Sequence, residues 1–98
     1  MNYEIIFAPE AELGLSRLYK NEPKAYQKAL KLIAELHVHP RSGTGKPKQL
    51  SGNRAGQWSR RITEKHRLIY EIHDTEIVVL VLSSYAHYND KYFIISLL

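Results

Sequence analysis

The side chains best suited to chemistry lie from residue 46 onward and all handle phosphate groups or protons: Lys46, Lys48, Arg61, Arg67, His87 and Tyr88. Arginine keeps its proton under physiological conditions, so Arg67 is suited to stabilising negative charge. Histidine titrates near neutrality, so His87 can donate a proton. A lysine is a base only as the neutral amine, which nearby positive charge favours. The set fits metal-independent RNA cleavage, in which the 2′-OH attacks the adjacent phosphate and the 5′-oxygen leaves.

The positive charge of the chain is concentrated around these residues. Between Arg41 and Arg67 there are eight basic residues and one acid, a local net charge of +7 in a chain whose total is +4. A concentrated basic patch on a nearly neutral body indicates a site for a polyanion. A solvated basic loop is the simpler alternative, and for Arg60 a surface salt bridge is another. Besides Lys46 and Arg61, the candidate phosphate-binding residues are Arg60, Lys65 and Arg54.

Other chemistries lack the residues that they need. The chain has no cysteine, so it has neither a disulfide framework nor a thiolate metal site. His37 and His39 have a spacing seen in metal sites, but no third ligand lies near them in the sequence. The sequence contains no Gly-x-Ser-x-Gly element and no phosphate-binding loop with the required spacing. We therefore expect no metal and no cofactor.

The hydrophobic pattern predicts an α+β domain that spans residues 1–98. A short strand over 2–7 precedes a helix that begins at Pro9 and a second helix with Asn21 as its N-cap. Glu35 is predicted to face solvent on the second helix. A loop over 40–57, anchored by Leu50, leads into three strands. The expected fold is a small antiparallel β-sheet with both helices packed on one face.

The last of these strands lies in IVVLVLSSY, which is apolar on both faces and therefore predicted to be central and covered. Trp58 is predicted to pack in the core, and Tyr70 to pack on the sheet rather than to stack on a base. His66 lies in the predicted hairpin turn, where capping the turn and a functional role are equally plausible. His73 is expected to face solvent.

Three stretches resemble the YoeB/Txe toxins of the RelE superfamily, the ribosome-dependent mRNA interferases of type II toxin–antitoxin systems. They are GTGKPKQL at 43–50, GQWSRRITEKHRLIYEI at 56–72 and AHY at 86–88, within a match over roughly residues 2–90. The resemblance implies the RelE/YoeB-like fold, a small antiparallel sheet with two N-terminal helices. It also implies an endoribonuclease that cuts mRNA in the ribosomal A site and so inhibits translation.

The family's functional residues carry over onto positions of this chain. Its phosphate-stabilising arginine falls on Arg67, its general-acid histidine on His87 and the tyrosine after it on Tyr88. Arg61 lies in the matching double-arginine strand. Lys48 is a departure, because this branch of the family usually has glutamate there and uses it as the base. Relatives of the RelE type use lysines, so the sequence leaves open whether Lys48 is the base or only holds phosphate.

The resemblance further implies partners and a location. A cognate YefM-like antitoxin of the Phd family, the ribosome, mRNA and a second copy of the chain are expected partners. The sequence has no apolar segment of the roughly 20 residues that a membrane helix needs, and a cytoplasmic location is expected. Residues 88–98 extend past the family's usual end with an apolar tail of unknown role. A non-catalytic inhibitor that binds RNA or the ribosome is the alternative, since Lys48 would then mark lost chemistry.

Overall fold

A computed structural model of the 98-residue chain describes residues 2–86. These residues form two helices and five strands, and the strands make up a single sheet. In chain order the elements are β1 (Glu4–Phe7), α1 (Pro9–Asn21), α2 (Pro23–Leu36), β2 (Lys48–Gln49), β3 (Gln57–Arg61), β4 (Arg67–His73) and β5 (Val78–Ser83), with a 3₁₀ turn at Gly52–Arg54 before β3. The α+β class is confirmed.

Proline begins both helices. Pro9 opens α1, and Glu10 and Glu12 in its first turn complement the positive end of the helix. The predicted N-cap at Asn21 is wrong, because Asn21 is the last residue of α1 and Glu22 occupies the N-cap position of α2, without a side-chain cap. Pro23 disfavours a helical conformation in the residue before it, so the break falls at Glu22. No helix within residues 2–86 has the length and apolarity needed to cross a membrane.

The strands follow the order β1-β5-β4-β3-β2. The predicted meander of β3, β4 and β5 is confirmed, and its neighbouring strands are antiparallel. The prediction of a wholly antiparallel sheet is wrong, since β1 pairs parallel to β5 with Ile6 opposite Leu80. The chain between β1 and the later strands includes both helices, which is the long connection that a parallel pair requires.

Both helices pack on one face of the sheet, as predicted. The core joins the apolar face of α2 to alternate residues of the strands, among them Leu32, Leu36, Leu68, Tyr70, Val79 and Val81. β5 is an interior strand, also as predicted. Only its Val79 and Val81 side is buried, however, whereas Val78 and Leu80 on the other side are half-buried. The two helices therefore cover one face of the sheet, and no helix formed by residues 2–86 covers the opposite face.

The segment predicted as an irregular loop over 40–57 contains regular structure. Lys48 and Gln49 form β2, which pairs with Ser59 and Trp58 of β3. Leu50 is buried, and its N–H donates to the carbonyl of Gln57 at 2.9 Å, which confirms its role as an anchor. The segment thus adds an edge strand that holds Lys48 beside β3.

Candidate functional site

The face of β2, β3 and β4 that is turned away from the helices carries the principal basic residues. Side chains alternate along a strand, so core-facing Trp58 and Tyr70 place their neighbours on the opposite side. Lys48 pairs with Ser59, and Arg61 pairs with Arg67. We call the surface formed by Lys48, Arg61 and Arg67 the open face. The structure thus brings three of the predicted site residues together.

Arg61 and Arg67 are directly opposite each other at the last pair of the β3–β4 ladder. Residues in such a pair have Cβ atoms about 4.5–5.5 Å apart, and two like charges there destabilise a sheet. Nε of Arg61 is buried and lacks an acceptor among residues 2–86. An unsatisfied buried donor costs about 1–3 kcal/mol. An anion bound between the two guanidinium groups would offset both costs.

Lys48 lies diagonally across from Arg61, because its partner Ser59 is two residues before Arg61 on the same face of β3. Diagonal neighbours of this kind are about 7–8 Å apart, within reach of long side chains. Ser59 and Ile69 are both buried between the basic residues. The cationic side chains of the open face therefore surround a buried surface formed by Ser59 and Ile69.

Lys46 is held next to this face by the backbone of the loop that precedes β2. The Arg61 N–H donates to the Gly45 carbonyl at 2.6 Å. Gly45 has φ +86°, and a Cβ there would lie 3.0 Å from the Arg61 carbonyl oxygen, so the close approach requires glycine. Lys46 itself has φ +52°, a left-handed conformation that is costly for a side chain with Cβ. The exposed residue Lys46 therefore follows directly after a glycine that is hydrogen-bonded to Arg61, in a backbone conformation that costs free energy.

Arg60 is not a phosphate-binding residue, and the expectation that places it on the basic surface is wrong. Its side chain is fully buried on the helix side of β3, opposite Leu68. The guanidinium donates five hydrogen bonds, to the Glu35 carboxylate at 2.9 Å, the Tyr70 hydroxyl at 3.2 Å and the carbonyls of His39, Ser42 and Thr44. Arg60 therefore fixes the loop that leads into Lys46 and Lys48.

Glu35 is the acidic partner in this network, and its predicted orientation toward solvent is wrong. Its Oε1 accepts from Arg60 and from the Thr44 N–H at 2.8 Å, and a Cβ on Gly43 would lie 2.4 Å from that oxygen. Burial raises the pKa of Glu35, but the Thr44 hydrogen bonds and the Arg60 charge outweigh it, so the pKa lies below its ordinary value. Glu35 stays ionised at neutral pH.

Truncation of the two consecutive arginines of β3 should change the free energy of unfolding by very different amounts. We expect Arg60→Ala to lower the free energy of unfolding by about 3–5 kcal/mol, because it leaves Glu35 and the loop carbonyls without their buried donor. Arg61→Ala is the matched control and should change it by no more than about 0.5 kcal/mol, since it also relieves the repulsion with Arg67. Urea unfolding measures both. A loss under about 1 kcal/mol for Arg60→Ala, the value of a surface pair, would contradict the assignment.

The remaining basic candidates are spread more widely. Lys65 is exposed in the turn after Arg61, close to the paired arginines. Arg54 precedes the opposite end of β3 and donates to the Gln57 side chain at 2.9 Å. Arg41 forms an ion pair with Asp74 at 2.6 Å, and hydrogen bonds from Arg41 and Tyr3 lower the pKa of Asp74. The open face is therefore extended by Lys65, whereas Arg54 lies apart from it.

The end of the described chain runs beside Arg67. The carbonyl of Ala86 accepts a hydrogen bond from the Arg67 N–H at 3.1 Å. His87 and Tyr88, the predicted acid and its neighbour, lie outside the described residues, as does the tail at 89–98. The chain nevertheless reaches the residue before His87 at the same strand end as Arg61 and Arg67.

Other expectations concern aromatic and imidazole side chains. Trp58 packs against the core and Tyr70 is buried, as predicted, and the Tyr70 hydroxyl donates to the Pro40 carbonyl at 2.8 Å. His73 is exposed, as predicted. The His66 side chain does not cap its turn: the Thr63 hydroxyl accepts from the Lys65 and His66 N–H groups, and the His66 carbonyl accepts from the Ile62 and Thr63 N–H groups. The His66 ring is instead fully buried, and the hydrophilic sequence of the turn does not predict this burial.

The geometry of the site favours binding of phosphate over binding of a metal. As far as residues 2–86 extend, no group of three His, Asp or Glu side chains is placed to hold a metal ion. The His37 ring bonds instead to the Tyr3 carbonyl at 2.9 Å. The planar guanidinium groups of Arg61 and Arg67 suit the oxygens of a phosphate.

Comparison with known proteins shows the family to which the chain belongs. The family of YoeB-like toxins of bacterial type II toxin–antitoxin systems matches residues 8–88. The toxin YoeB of Synechocystis sp. is 39% identical over 70 residues, which are 71% of this chain and 79% of that protein. A YoeB/ParE toxin from Agrobacterium tumefaciens has a TM-score of 0.81 at 28% identity, covering 87% of this chain and 99% of that one.

YoeB from Staphylococcus aureus has been solved as a dimer and in complex with YefM. In the complex it has a TM-score of 0.75 at 30% identity, covering 90% of this chain and all of that one. The fold is that of these small toxins, and one face of its sheet is basic. The chain belongs to the YoeB family and is the toxin of a type II toxin–antitoxin system.

Proposed function

We propose that this toxin is a ribosome-dependent endoribonuclease, an mRNA interferase that cuts mRNA in the ribosomal A site and so inhibits translation. The observation that carries the proposal is the open face. Among residues 2–86, none of its three cations has a carboxylate partner, in contrast to Arg41 and Arg60. Paired arginines without acidic partners are suited to hold a phosphate.

Each step of the cleavage has a residue to carry it. The neutral amine of Lys48 takes the proton of the 2′-OH, and the 2′-oxygen attacks the adjacent phosphorus. Arg67, with Arg61 opposite it, stabilises the added negative charge on the phosphorane. His87 gives a proton to the departing 5′-oxygen, with Tyr88 beside it in the sequence. The products are a 2′,3′-cyclic phosphate and a 5′-hydroxyl, and neither metal nor cofactor takes part.

The remaining basic residues serve to bind RNA. Lys46 and Lys65 flank the arginine pair, and Arg54, apart from the open face near the other end of β3, is a further contact for RNA. The small open face contacts few nucleotides, so we assign most of the binding energy and the ordering of the substrate to the ribosome. Because the proposed substrate is mRNA on the ribosome, we propose that the protein acts in the cytoplasm.

The proposed protein partners follow from the relatives and from charge. The S. aureus YoeB is found with YefM and as a dimer. We propose a YefM-like antitoxin of the Phd family for this chain, with an acidic segment that covers the open face, and a homodimer. An acidic segment would supply the carboxylates that Lys48, Arg61 and Arg67 lack within the described residues, and would thereby block RNA.

A second function is favoured by one residue. Lys48 occupies the position where this branch of the family usually has a glutamate base, and the alternative function is therefore a protein that binds RNA or the ribosome without catalysis. Such a protein would occupy the A site and inhibit translation without cutting mRNA. The two proposed functions differ in whether the mRNA is cut.

The test uses the purified toxin and ribosomes programmed with a defined mRNA. We expect new mRNA 5′ ends within the A-site codon, and no cleavage of the same mRNA without ribosomes. Inhibited translation with intact mRNA would support the binding protein and contradict the nuclease. Cleavage of free mRNA at the same rate would contradict the dependence on the ribosome.

Binding to RNA should depend strongly on salt. If about five phosphates are contacted, through Lys46, Lys48, Arg61, Lys65 and Arg67, the logarithm of the association constant should fall with log salt at a slope of roughly −3 to −4. Fluorescence anisotropy with a single-stranded RNA measures the slope. Arg61→Ala should reduce its magnitude by about 0.7, whereas Arg41→Ala should leave it unchanged. A flat response would show that the basic surface serves another ligand.

A further inference from the structure

The segment from Ser84 to Ala86 is fixed from several sides just before the chain reaches His87. The hydroxyl of Ser84 donates to the Ala11 carbonyl of α1 at 2.7 Å, and Ser84 is fully buried. Gly14 of α1 packs so closely that a Cβ there would lie 2.4 Å from Ser84 Oγ and 3.1 Å from the Tyr85 nitrogen. The absence of a side chain at position 14 thus lets this segment lie against α1.

His66 holds the same segment from the side of the sheet. The Ala86 N–H donates to Nδ1 of His66 at 2.8 Å, and Nε2 of His66 is 2.7 Å from the Glu22 carboxylate. A backbone N–H only donates, so Nδ1 must be the acceptor and the ring hydrogen must be on Nε2. The ring is fully buried and tilted against Tyr85, with a centroid distance of 4.3 Å. Both ring nitrogens are therefore satisfied only when His66 is neutral.

Ala86 has a backbone conformation that needs such support. Its φ is +66°, in the left-handed region that costs a residue with Cβ about 1–2 kcal/mol. Its N–H is held by the His66 ring and its carbonyl by the Arg67 N–H at 3.1 Å. Strained backbone persists where surrounding structure fixes it, and is concentrated at functional sites. The two residues that fix Ala86 are adjacent in sequence, and one of them is the proposed charge-stabilising arginine.

We propose that His66 is a positioning residue for RNA cleavage: its Nδ1 fixes Ala86 in the left-handed conformation and so sets the backbone from which His87 delivers its proton. This proposal rests on the proposed nuclease function. His66 and Arg67 tie the general acid and the charge-stabilising group to one hairpin. Glu22, through Nε2, keeps the ring in the form whose Nδ1 accepts.

Two substitutions separate the two nitrogens of the ring. In His66→Asn the amide oxygen takes the place of Nδ1 and still accepts from Ala86, but contact with Glu22 is lost. In His66→Gln the terminal amide takes the place of Nε2 and still donates to Glu22, but Ala86 loses its acceptor. We expect single-turnover cleavage on programmed ribosomes to stay within about threefold for His66→Asn and to fall about 100-fold for His66→Gln, the lower range for a lost general acid.

A modified message tests whether the defect acts through proton donation. A bridging sulfur in place of the scissile 5′-oxygen leaves as a thiolate and needs no proton. With this mRNA we expect the His66→Gln rate to come within about threefold of the wild-type rate, since only the step assigned to His87 is relieved. A defect of equal size on both messages would show a general loss of structure and overturn the proposal.

A second variant disturbs the segment without touching His66. Gly14→Ala introduces a Cβ that collides with Ser84 and Tyr85, so it should also slow cleavage and should also be relieved by the sulfur message. Gly14→Ala provides the test if His66→Gln fails to fold. Equal cleavage of the normal message by wild type and either His66→Gln or Gly14→Ala would overturn the positioning role alone. A wild-type toxin that leaves both messages intact would overturn the nuclease function and the positioning role together.

Discussion

Arg67→Ala should abolish toxicity while the protein remains folded. Arg67 lies on the open face opposite Arg61, at the strand end where the chain passes through Ala86 toward His87. Removal of an oriented charge from the phosphorane costs about 3–4 kcal/mol, or a factor of roughly 10²–10³ in rate. We expect that loss in single-turnover cleavage on ribosomes, and growth without arrest when the variant is expressed.

Arg41→Ala is the matched control for this prediction. It removes one positive charge from the same basic region, but Arg41 pairs with Asp74 beyond the other end of β4. We expect its cleavage rate to be unchanged. Arg67→Lys is the more demanding variant, because it keeps the charge and loses the planar fork, and it should recover only part of the rate. Growth arrest by a folded Arg67→Ala protein at wild-type expression would contradict the assignment.

Lys48→Arg should be nearly as damaging as Lys48→Ala. If Lys48 takes the proton of the 2′-OH, either change should slow cleavage by about 10²–10⁴-fold, since arginine keeps the charge but does not release its proton. Lys48→Glu should retain substantial activity, because it restores a carboxylate that accepts a proton at neutral pH.

The opposite outcome for Lys48 has a clear meaning. A Lys48→Arg toxin with the full single-turnover rate at every pH would show that Lys48 only holds phosphate. Activation of the 2′-OH would then fall to the ribosome or to alignment of the substrate. Lys46→Arg is the control, because Lys46 is exposed beside Arg61 and is assigned to phosphate binding alone. It should behave like wild type.

The strand pattern is sufficient to place the two arginines of the open face. Alternation along QWSRR and RLIYEIH puts Arg61 and Arg67 on one side and Trp58 and Tyr70 on the other, and the structure agrees. The same alternation places Arg60 on the core side, but an arginine there contradicts the expectation that charged residues stay exposed. The sequence does not show that Glu35 and three carbonyls from distant positions come together to satisfy it.

Long-range pairing explains the other differences. The parallel pairing of β1 with β5 joins residues more than 70 positions apart, and no local pattern specifies its direction. β2 has only two residues, too few for an alternating pattern. The sequence does not distinguish a turn cap from a functional role for His66, because its partners Glu22 and Ala86 lie 44 and 20 residues away. Local chemistry predicted the basic strands, whereas the supports behind them depend on tertiary contacts.

The chemistry of the cut ends tests the central claim most directly. Programmed ribosomes are incubated with the toxin, and the two mRNA fragments are analysed for their terminal groups. Attack by the 2′-OH predicts a 2′,3′-cyclic phosphate on the upstream fragment and a 5′-hydroxyl on the downstream one. It also predicts no cleavage when a 2′-deoxynucleotide precedes the scissile phosphate. A 5′-phosphate on the downstream fragment, or efficient cleavage of the deoxy-substituted message, would contradict the account.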